Sequence, residues 1–227
     1  MPSATNAANV SSPVQLLRAH TQALHQALEA TPAARALLSP HLKLAGYADI
    51  LGVWAAAWLM LEPAVFATPV ATDLPELLPF PRARLAQADL QYLGCDGAAR
   101  SGSAGPRPFD TLDGVWTGTL ASRSGFIGTC YVLRGASLGG RVIARHLELT
   151  LGLDAAHGAA FFNAESGDGL SWVQWMRRAD QVLMAEDAID DACRAAADTF
   201  ALLLELFGGT HLDAADAGPR LVAHPGI

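Results

Sequence analysis

The stretch LLRAHTQALHQALEA, residues 16–30, holds the first side chains whose types and spacing could do chemistry. Its leucine stripe predicts a helix, and His20 and His25 lie at opposite edges of that stripe. Arg18 lies seven residues before His25, which is about 10 Å along a helix and nearly the same line on its surface. A histidine that binds iron and an arginine that binds an acid group of the same cofactor would suit this spacing. Spacing alone does not select His25 over His20, and either could be a boundary residue of the core.

A second predicted helix carries glycines where a helix normally avoids them. The stretch YVLRGASLGGRVIARHL, residues 131–147, has helical apolar spacing but contains Gly135, Gly139 and Gly140. Each glycine costs a helix roughly 1 kcal/mol relative to alanine. Together with Ala136 they give an arc of about 140° with almost no side chains. Such a face lets a flat ligand approach the backbone or lets another helix pack closely, and the pattern leaves both interpretations open.

Capping and periodicity signals predict the elements that position these residues. The first helix begins at a capping box of Ser12 and Gln15, with Pro13 at its first position, and runs to about residue 29. Further helices are predicted at residues 31–39, 47–62, 82–93, 111–151, 154–163, 169–184 and 187–207. We expect the third helix to stop at Pro63 and the 111–151 region to be divided or kinked at glycines. No alternating strand pattern is present, so the chain is predicted to be all-α, a single domain of seven to nine helices.

The predicted helical domain spans residues 12–207, with segments of different composition around and within it. Residues 1–11 are expected to be disordered, and the low-complexity stretch 95–108 is expected to be a mobile loop. Residues 208–227 are rich in glycine and proline and are expected to form a flexible tail.

Composition excludes several classes of function. The chain has 227 residues, is 51% hydrophobic and carries a net charge of −7, which argues against nucleic-acid binding. The longest apolar run, residues 50–61, is about 12 residues, too short to span a membrane. The N-terminus lacks the basic start and apolar core of a signal peptide. Three widely spaced cysteines argue against a disulfide framework, and a reducing cytoplasm is the simplest expected compartment.

Five stretches resemble the heme oxygenase family, in the family's order. Residues 16–30 resemble its proximal helix, and GTCYVLRGASLGGRVIARHL, residues 128–147, resembles the distal helix of the bacterial branch that supplies biliverdin to phytochromes. RARLAQADLQYLG (82–94) is similar to the middle helix, and FFNAESGDGLSWVQW (161–175) and ADTFALLLELF (197–207) are similar to the last two. The resemblance implies an all-α bundle in which heme b lies between a proximal helix and a kinked, glycine-rich distal helix.

The same resemblance assigns roles to individual residues. His25 falls at the position of the axial iron ligand, and His20 does not. The remaining residues implied to contact heme are Arg18, Thr21, Leu28, Gly135, Ala136, Gly139, Gly140, Arg177 and Phe200. Of these, Arg18 and either Arg177 or Arg178 would bind the propionates, and Gly135 and Gly139 would lie over the iron. Ala136 stands where the animal enzymes carry an aspartate that organises distal waters, which leaves Ser137 as a candidate for proton delivery.

The implied reaction opens heme to biliverdin with release of carbon monoxide and ferrous iron. Dioxygen is the implied co-substrate, and a ferredoxin or an NAD(P)H-dependent reductase is the implied electron donor. A bacteriophytochrome is a candidate receiver of the biliverdin. Ala136 keeps a second hypothesis open, a non-catalytic heme-binding sensor or carrier on the same fold. A third hypothesis is a helical interaction domain without heme, in which the glycines serve packing.

Overall fold

The computed structural model describes residues 12–95, 119–164 and 169–208. The predicted disordered N-terminus, the predicted mobile loop beyond Cys95 and the predicted tail beyond Gly208 lie outside these residues. The described residues contain no strand and form nine α-helices and one 3₁₀ turn. They are α1 (Pro13–Glu29), α2 (Pro32–Leu37), α3 (Leu44–Phe66), α4 (Pro69–Asp73), the 3₁₀ turn (Pro75–Leu77), α5 (Ala83–Tyr92), α6 (Arg123–Leu151), α7 (Ala160–Asn163), α8 (Trp172–Glu186) and α9 (Ile189–Gly208).

The predicted start of α1 is confirmed in atomic detail. The Gln15 backbone N–H donates to the Ser12 hydroxyl over 3.4 Å, and the Gln15 side-chain oxygen accepts from the Ser12 N–H over 2.9 Å. Thr31 caps α2 with a single bond, because its hydroxyl accepts from the Ala34 N–H over 3.3 Å. Both caps satisfy N–H groups that a helix leaves without partners in its first turn.

The prediction that Pro63 ends the third helix is wrong. Pro63 lies inside the last turn of α3, which continues to Phe66, and the Ala67 N–H donates to the Pro63 carbonyl over 3.0 Å. Proline removes one hydrogen bond but its own φ suits a helix, so a single further turn is tolerated near the end. The expectation about apolar length is also corrected, since α3 is long and apolar enough to cross a membrane. Half of its most apolar window is buried inside the protein, with Trp58 and Leu61 fully covered.

The glycine-rich helix α6 is unbroken over 29 residues. The 111–151 region is divided at Ser122, whose hydroxyl accepts from the Gly125 N–H over 3.0 Å, rather than at the Gly135–Gly140 segment. Gly152, at φ 69°, ends the helix in the left-handed conformation that glycine adopts without strain.

The predicted helix over residues 154–163 is mostly wrong. Only Ala160–Asn163 is helical, and residues 154–158 form a turn in which the His157 and Ala159 N–H groups both donate to the Asp154 carbonyl. Gly158 stands in this turn at φ 83°, which interrupts helical geometry. The turn is tied to α3, because the Tyr47 hydroxyl donates to the Gly158 carbonyl over 2.8 Å.

Helix α9 is the element that relates the two candidate helices to each other. It packs extensively against both α6 and α1. On one side, the Thr199 hydroxyl donates to the Thr129 hydroxyl of α6 over 3.4 Å. On the other side, Phe200 contacts His25 of α1. Consecutive residues of α9 therefore face α6 and α1, so α9 packs against both helices and fixes their relative position.

Candidate functional site

His25 is an accessible histidine held beside an aromatic ring. Its side chain is 58% exposed, and its ring meets Phe200 edge-on with 5.9 Å between the centroids. The Nδ1 atom lies 3.6 Å from a carboxylate oxygen of Glu29, one turn later on α1. A carboxylate near Nδ1 favours the tautomer that keeps the proton there, which leaves Nε2 as the nitrogen for a metal.

The contact with Phe200 separates the two histidines that spacing could not. His20 is exposed and lies about 140° around α1 from His25.

Thr21, one turn before His25, is buried, and its hydroxyl donates to the Leu17 carbonyl over 2.9 Å. Leu28 is half-buried and packs against the hydrophobic core.

The glycines of α6 divide into two groups by what surrounds them. Among the described residues, a Cβ placed on Gly139 would meet nothing within 4 Å, and one on Gly135 would meet only the Trp172 ring at 3.9 Å. A Cβ on Gly140 would lie 3.1 Å from the Phe162 carbonyl oxygen. Gly135 and Gly139 therefore present an open strip of backbone, whereas Gly140 packs against protein. Ala136, on the border between the two, is half-buried.

Tyr131 marks the place where α1 and α6 approach each other. Burial raises the pKa of Tyr131, while the Thr21 hydroxyl and the charge of Arg18 lower it, so both α1 groups lie close to the phenol. Tyr131 lies one turn before Gly135, and its ring contacts Trp172 with 5.6 Å between centroids. Arg18 thus lies within electrostatic reach of Tyr131, which precedes Gly135 by one turn.

The two candidate arginines of α8 differ in their surroundings. Arg178 is engaged, since its Nε donates to a Glu76 carboxylate oxygen over 2.7 Å. This partner holds the Glu76 pKa below its usual range. Arg177 is exposed. Of the pair, Arg177 is the arginine better placed to bind a ligand.

Arg82 is a residue that sequence reasoning missed. Its side chain is 1% exposed, and its Nη1 donates to the Ser137 hydroxyl over 3.2 Å. Its Nε and Nη2 both donate to the Phe161 carbonyl, over 3.0 and 2.7 Å. Burial lowers the pKa of Arg82 to about 10, and the nearby Glu62 opposes that shift, so the guanidinium is charged at neutral pH. The only signal in the sequence was its position at the start of the stretch 82–94.

Comparison with known proteins identifies the family to which this chain belongs. The family model described as Heme oxygenase matches residues 12–208. The chain belongs to the heme oxygenase family. A solved structure of the heme oxygenase from Leptospira interrogans is similar, with a TM-score of 0.59 and 18% identity. The match covers 87% of this chain and 99% of that chain. No curated protein sequence matches this one. The predicted family and the predicted all-α heme oxygenase fold are confirmed.

In this heme oxygenase fold, the predicted site residues do not all share one face. His25 and Phe200 lie together on α1 and α9, and Gly135 and Gly139 lie on one side of α6. Ser137 lies about 160° around α6 from both of those glycines, because successive helical residues are 100° apart. Its hydroxyl is turned toward Arg82.

Three other basic side chains, those of His146, His157 and Arg145, have protein partners. His146 Nε2 lies 2.9 Å from the Ser39 carbonyl, and His157 Nδ1 lies 2.8 Å from a carboxylate oxygen of Asp154. Arg145 donates to Glu148 over 3.1 Å on the exposed side of α6. Among the histidines that the structure describes, His25 combines exposure with a ring contact to Phe200.

Proposed function

We propose that this member of the heme oxygenase family opens heme to biliverdin, with release of carbon monoxide and ferrous iron. Dioxygen is the co-substrate, and a ferredoxin or an NAD(P)H-dependent reductase supplies the electrons. The observation that carries the proposal is the presence of an exposed His25, set against Phe200, together with a strip of α6 backbone that the described residues leave open at Gly139 and border only with the Trp172 ring at Gly135.

The residues present fit heme. A porphyrin is flat, and the open strip at Gly135 and Gly139 offers a surface from which side chains are missing. Neutral imidazole is an ordinary protein ligand of heme iron. The Arg18 guanidinium, near Tyr131 at the end of the strip, suits a propionate, since arginine pairs with carboxylates through two parallel hydrogen bonds. Arg177 is proposed for the second propionate.

Bound heme would supply the iron that activates dioxygen and the meso carbon that is oxidised. The chain would contribute position. His25 would bind through Nε2, with Glu29 accepting from Nδ1–H to fix the ring's orientation. Thr21 and Leu28 would border the heme on the α1 side, and Phe200 would hold the His25 ring from below. Gly135 and Gly139, with Ala136 beside them, would bring α6 backbone over the iron and restrict where oxygen can point.

One observation favours a second function, a heme-binding sensor or carrier without turnover. Ala136 offers no hydrogen-bonding side chain, and the Ser137 hydroxyl beside it is bonded to Arg82 rather than turned to the open strip. Proton delivery to bound oxygen would then depend on water held by backbone carbonyls. A protein unable to arrange such water would bind heme and stop there.

The test is an absorption spectrum with one equivalent of hemin, followed by ascorbate or a ferredoxin reductase system in air. We expect a Soret band that decays as a broad red biliverdin band grows. In His25→Ala the axial histidine spectrum and turnover should both be lost, whereas His20→Ala, which removes an exposed histidine from the same helix, should behave as wild type. A Soret band that survives reductant and oxygen in the wild type would favour the carrier. No Soret shift at all would remove the basis for both.

We propose a cytoplasmic location, a domain of about residues 12–207 and a bacteriophytochrome as receiver of the product. All three cysteines are free thiols, and Cys130 and Cys193 are buried, as suits a reducing cytoplasm. The family match over residues 12–208 supports a domain bounded near residues 12 and 207. A bacteriophytochrome is the proposed receiver of the product, on the strength of the distal-helix motif.

A further inference from the structure

We propose that Arg82 is a positioning residue that acts through Ser137, on the face of α6 opposite the open strip. It fixes the distance between the open strip and the heme, and so governs which meso carbon of heme is oxidised. The proposal rests on the proposed function. A strip of glycines has no side chains with which to set its own distance from a flat ligand. That distance must be set by contacts on the opposite face of α6.

The opposite face is where Arg82 lies. Ser137 is about 160° from Gly135 and Gly139, and its hydroxyl accepts from Arg82 Nη1 over 3.2 Å. Gly140 belongs to the same rear side, since a Cβ there would lie 3.6 Å from Arg82 Nη2. The guanidinium therefore contacts α6 directly behind the open strip.

Arg82 is itself held firmly. Its guanidinium lies 4.2 Å from the centroid of the Phe161 ring and donates twice to the Phe161 carbonyl. Its backbone N–H donates to a carboxylate oxygen of Glu62 over 2.5 Å, which ties the start of α5 to α3. Burial raises the pKa of Glu62, and the N–H donors at Arg82 and Ala83 oppose that shift.

A second buried acid, Asp89 of α5, completes the attachment of α5 to α7. Asp89, seven residues after Arg82 and thus on nearly the same line of α5, accepts from the Ala160 and Phe161 N–H groups over 2.9 and 2.8 Å. Phe161 is thereby held by its N–H and its carbonyl from one helix. The bond to Ser137 extends this rigid α5–α7 unit to α6.

The arrangement assigns Arg82 a role in position rather than in proton transfer. All three hydrogen-bonding nitrogens of the side chain are used on the rear side of α6, and the buried charge is matched by hydrogen bonds and by aromatic faces. Removing the Ser137 hydroxyl would leave one N–H of a buried cation unsatisfied, which favours a shift of the guanidinium or of α6.

The experiment compares Ser137→Ala, Ser137→Thr and Ser124→Ala in the full chain loaded with hemin. Ser124→Ala is the matched control, because it removes another α6 hydroxyl, a buried one that donates to Glu186 over 3.2 Å rather than accepting from Arg82. The readouts are the ratio of biliverdin isomers by chromatography and the C–O stretching frequency of the ferrous carbon monoxide complex. Arg82→Lys is a further variant, and the conclusion does not depend on its folding.

We expect Ser137→Ala to bind hemin and to raise the minor biliverdin isomer by about tenfold, the ratio that one hydrogen bond to a charged group can control. Its C–O frequency should shift. Ser137→Thr, which keeps a hydroxyl, should restore both readouts, and Ser124→Ala should match wild type. An unchanged isomer ratio and C–O frequency in Ser137→Ala would overturn the role of Arg82 while leaving the enzyme in place.

Failure of the proposed function would look different. If the wild type binds hemin but does not open it, the carrier hypothesis holds and the claim about the meso carbon falls with the proposed function. The C–O frequency then tests only whether Arg82 positions the open strip through Ser137. If the wild type binds no hemin, both proposals fall together.

Discussion

Helix α6 contains glycines in two regions that are opposite in their surroundings. In the first region, a methyl group on Gly128 would collide with the Ala192 carbonyl of α9, and one on Gly125 would collide with the Thr119 carbonyl. In the second region, a methyl group on Gly139 would meet no atom of the residues described in the structure within 4 Å. The same residue type thus serves close helix packing in one half of the helix and leaves open backbone in the other.

The difference shows at which glycine the loss of helix stability is not compensated by packing within the protein. Each glycine costs roughly 1 kcal/mol relative to alanine at an interior helical position. At Gly128 the close approach of α9 offsets that cost, because two backbones pack where a side chain would separate them. At Gly139 no contact with the described part of the chain offsets that cost. A gain that arises only when a flat ligand occupies the strip is the explanation that fits the proposed function.

The largest expected effect comes from Gly128→Ala. Because the obstacle is the backbone of α9 and not the end of a flexible side chain, we expect the free energy of unfolding to fall by about 2–3 kcal/mol. Urea unfolding of the heme-free protein followed by circular dichroism measures it. Gly52→Ala is the control, since a Cβ on Gly52 of α3 meets nothing within 4 Å and should gain up to about 1 kcal/mol. Equal stability of the two variants would contradict the packing role.

Gly139→Ala should have a smaller effect on stability, and one of opposite sign. We expect the heme-free protein to gain up to about 1 kcal/mol, as at Gly52, because the site is exposed and open. Hemin affinity and ring opening should nevertheless fall, and Gly139→Leu should lower them further, since any side chain holds the porphyrin away from the backbone. Hemin titration monitored at the Soret band and the biliverdin yield measure these effects.

Gly52→Ala serves again as the control for Gly139→Ala, since it adds the same methyl group far from the strip and should leave heme binding unchanged. Loss of stability in heme-free Gly139→Ala would break the comparison, because it would mean that protein covers the strip. Gain of stability with unaltered heme binding would show that the strip is open but not used.

Capping chemistry predicted the start of α1 because Ser12, Pro13 and Gln15 act locally, within one turn. The end of α3 was not predictable by the same means. Proline disfavours the helix interior, but one more turn to Phe66 is favoured by burial of residues such as Val65, and burial is a tertiary property. The turn at residues 154–158 depends in the same way on a distant residue, Tyr47, which bonds the Gly158 carbonyl.

In the candidate site, too, local features were predictable from the sequence and features that depend on tertiary contacts were not. Spacing identified His25 and His20 together, and only the contact with Phe200, far along the chain, separates them in the structure. The sequence left the glycines open between packing and a ligand, and each explanation holds for part of the set. Arg82 was not predictable because an arginine in a sequence is normally a surface charge, and its burial depends on carbonyl and hydroxyl acceptors in α6 and α7.

The smallest expected effect is at Gly140, which lies between the two extremes. A Cβ there would be 3.1 Å from the Phe162 carbonyl oxygen, so α7 must move by a few tenths of an ångström. The gain in helix propensity, roughly 1 kcal/mol, and the cost of this overpacking should nearly cancel, which leaves the free energy of unfolding of Gly140→Ala within about 1 kcal/mol of wild type. Urea unfolding beside Gly128→Ala and Gly139→Ala places it on one scale. A loss as large as that of Gly128→Ala would show that α7 cannot yield, and that the rear of α6 is as rigid as its contact with α9.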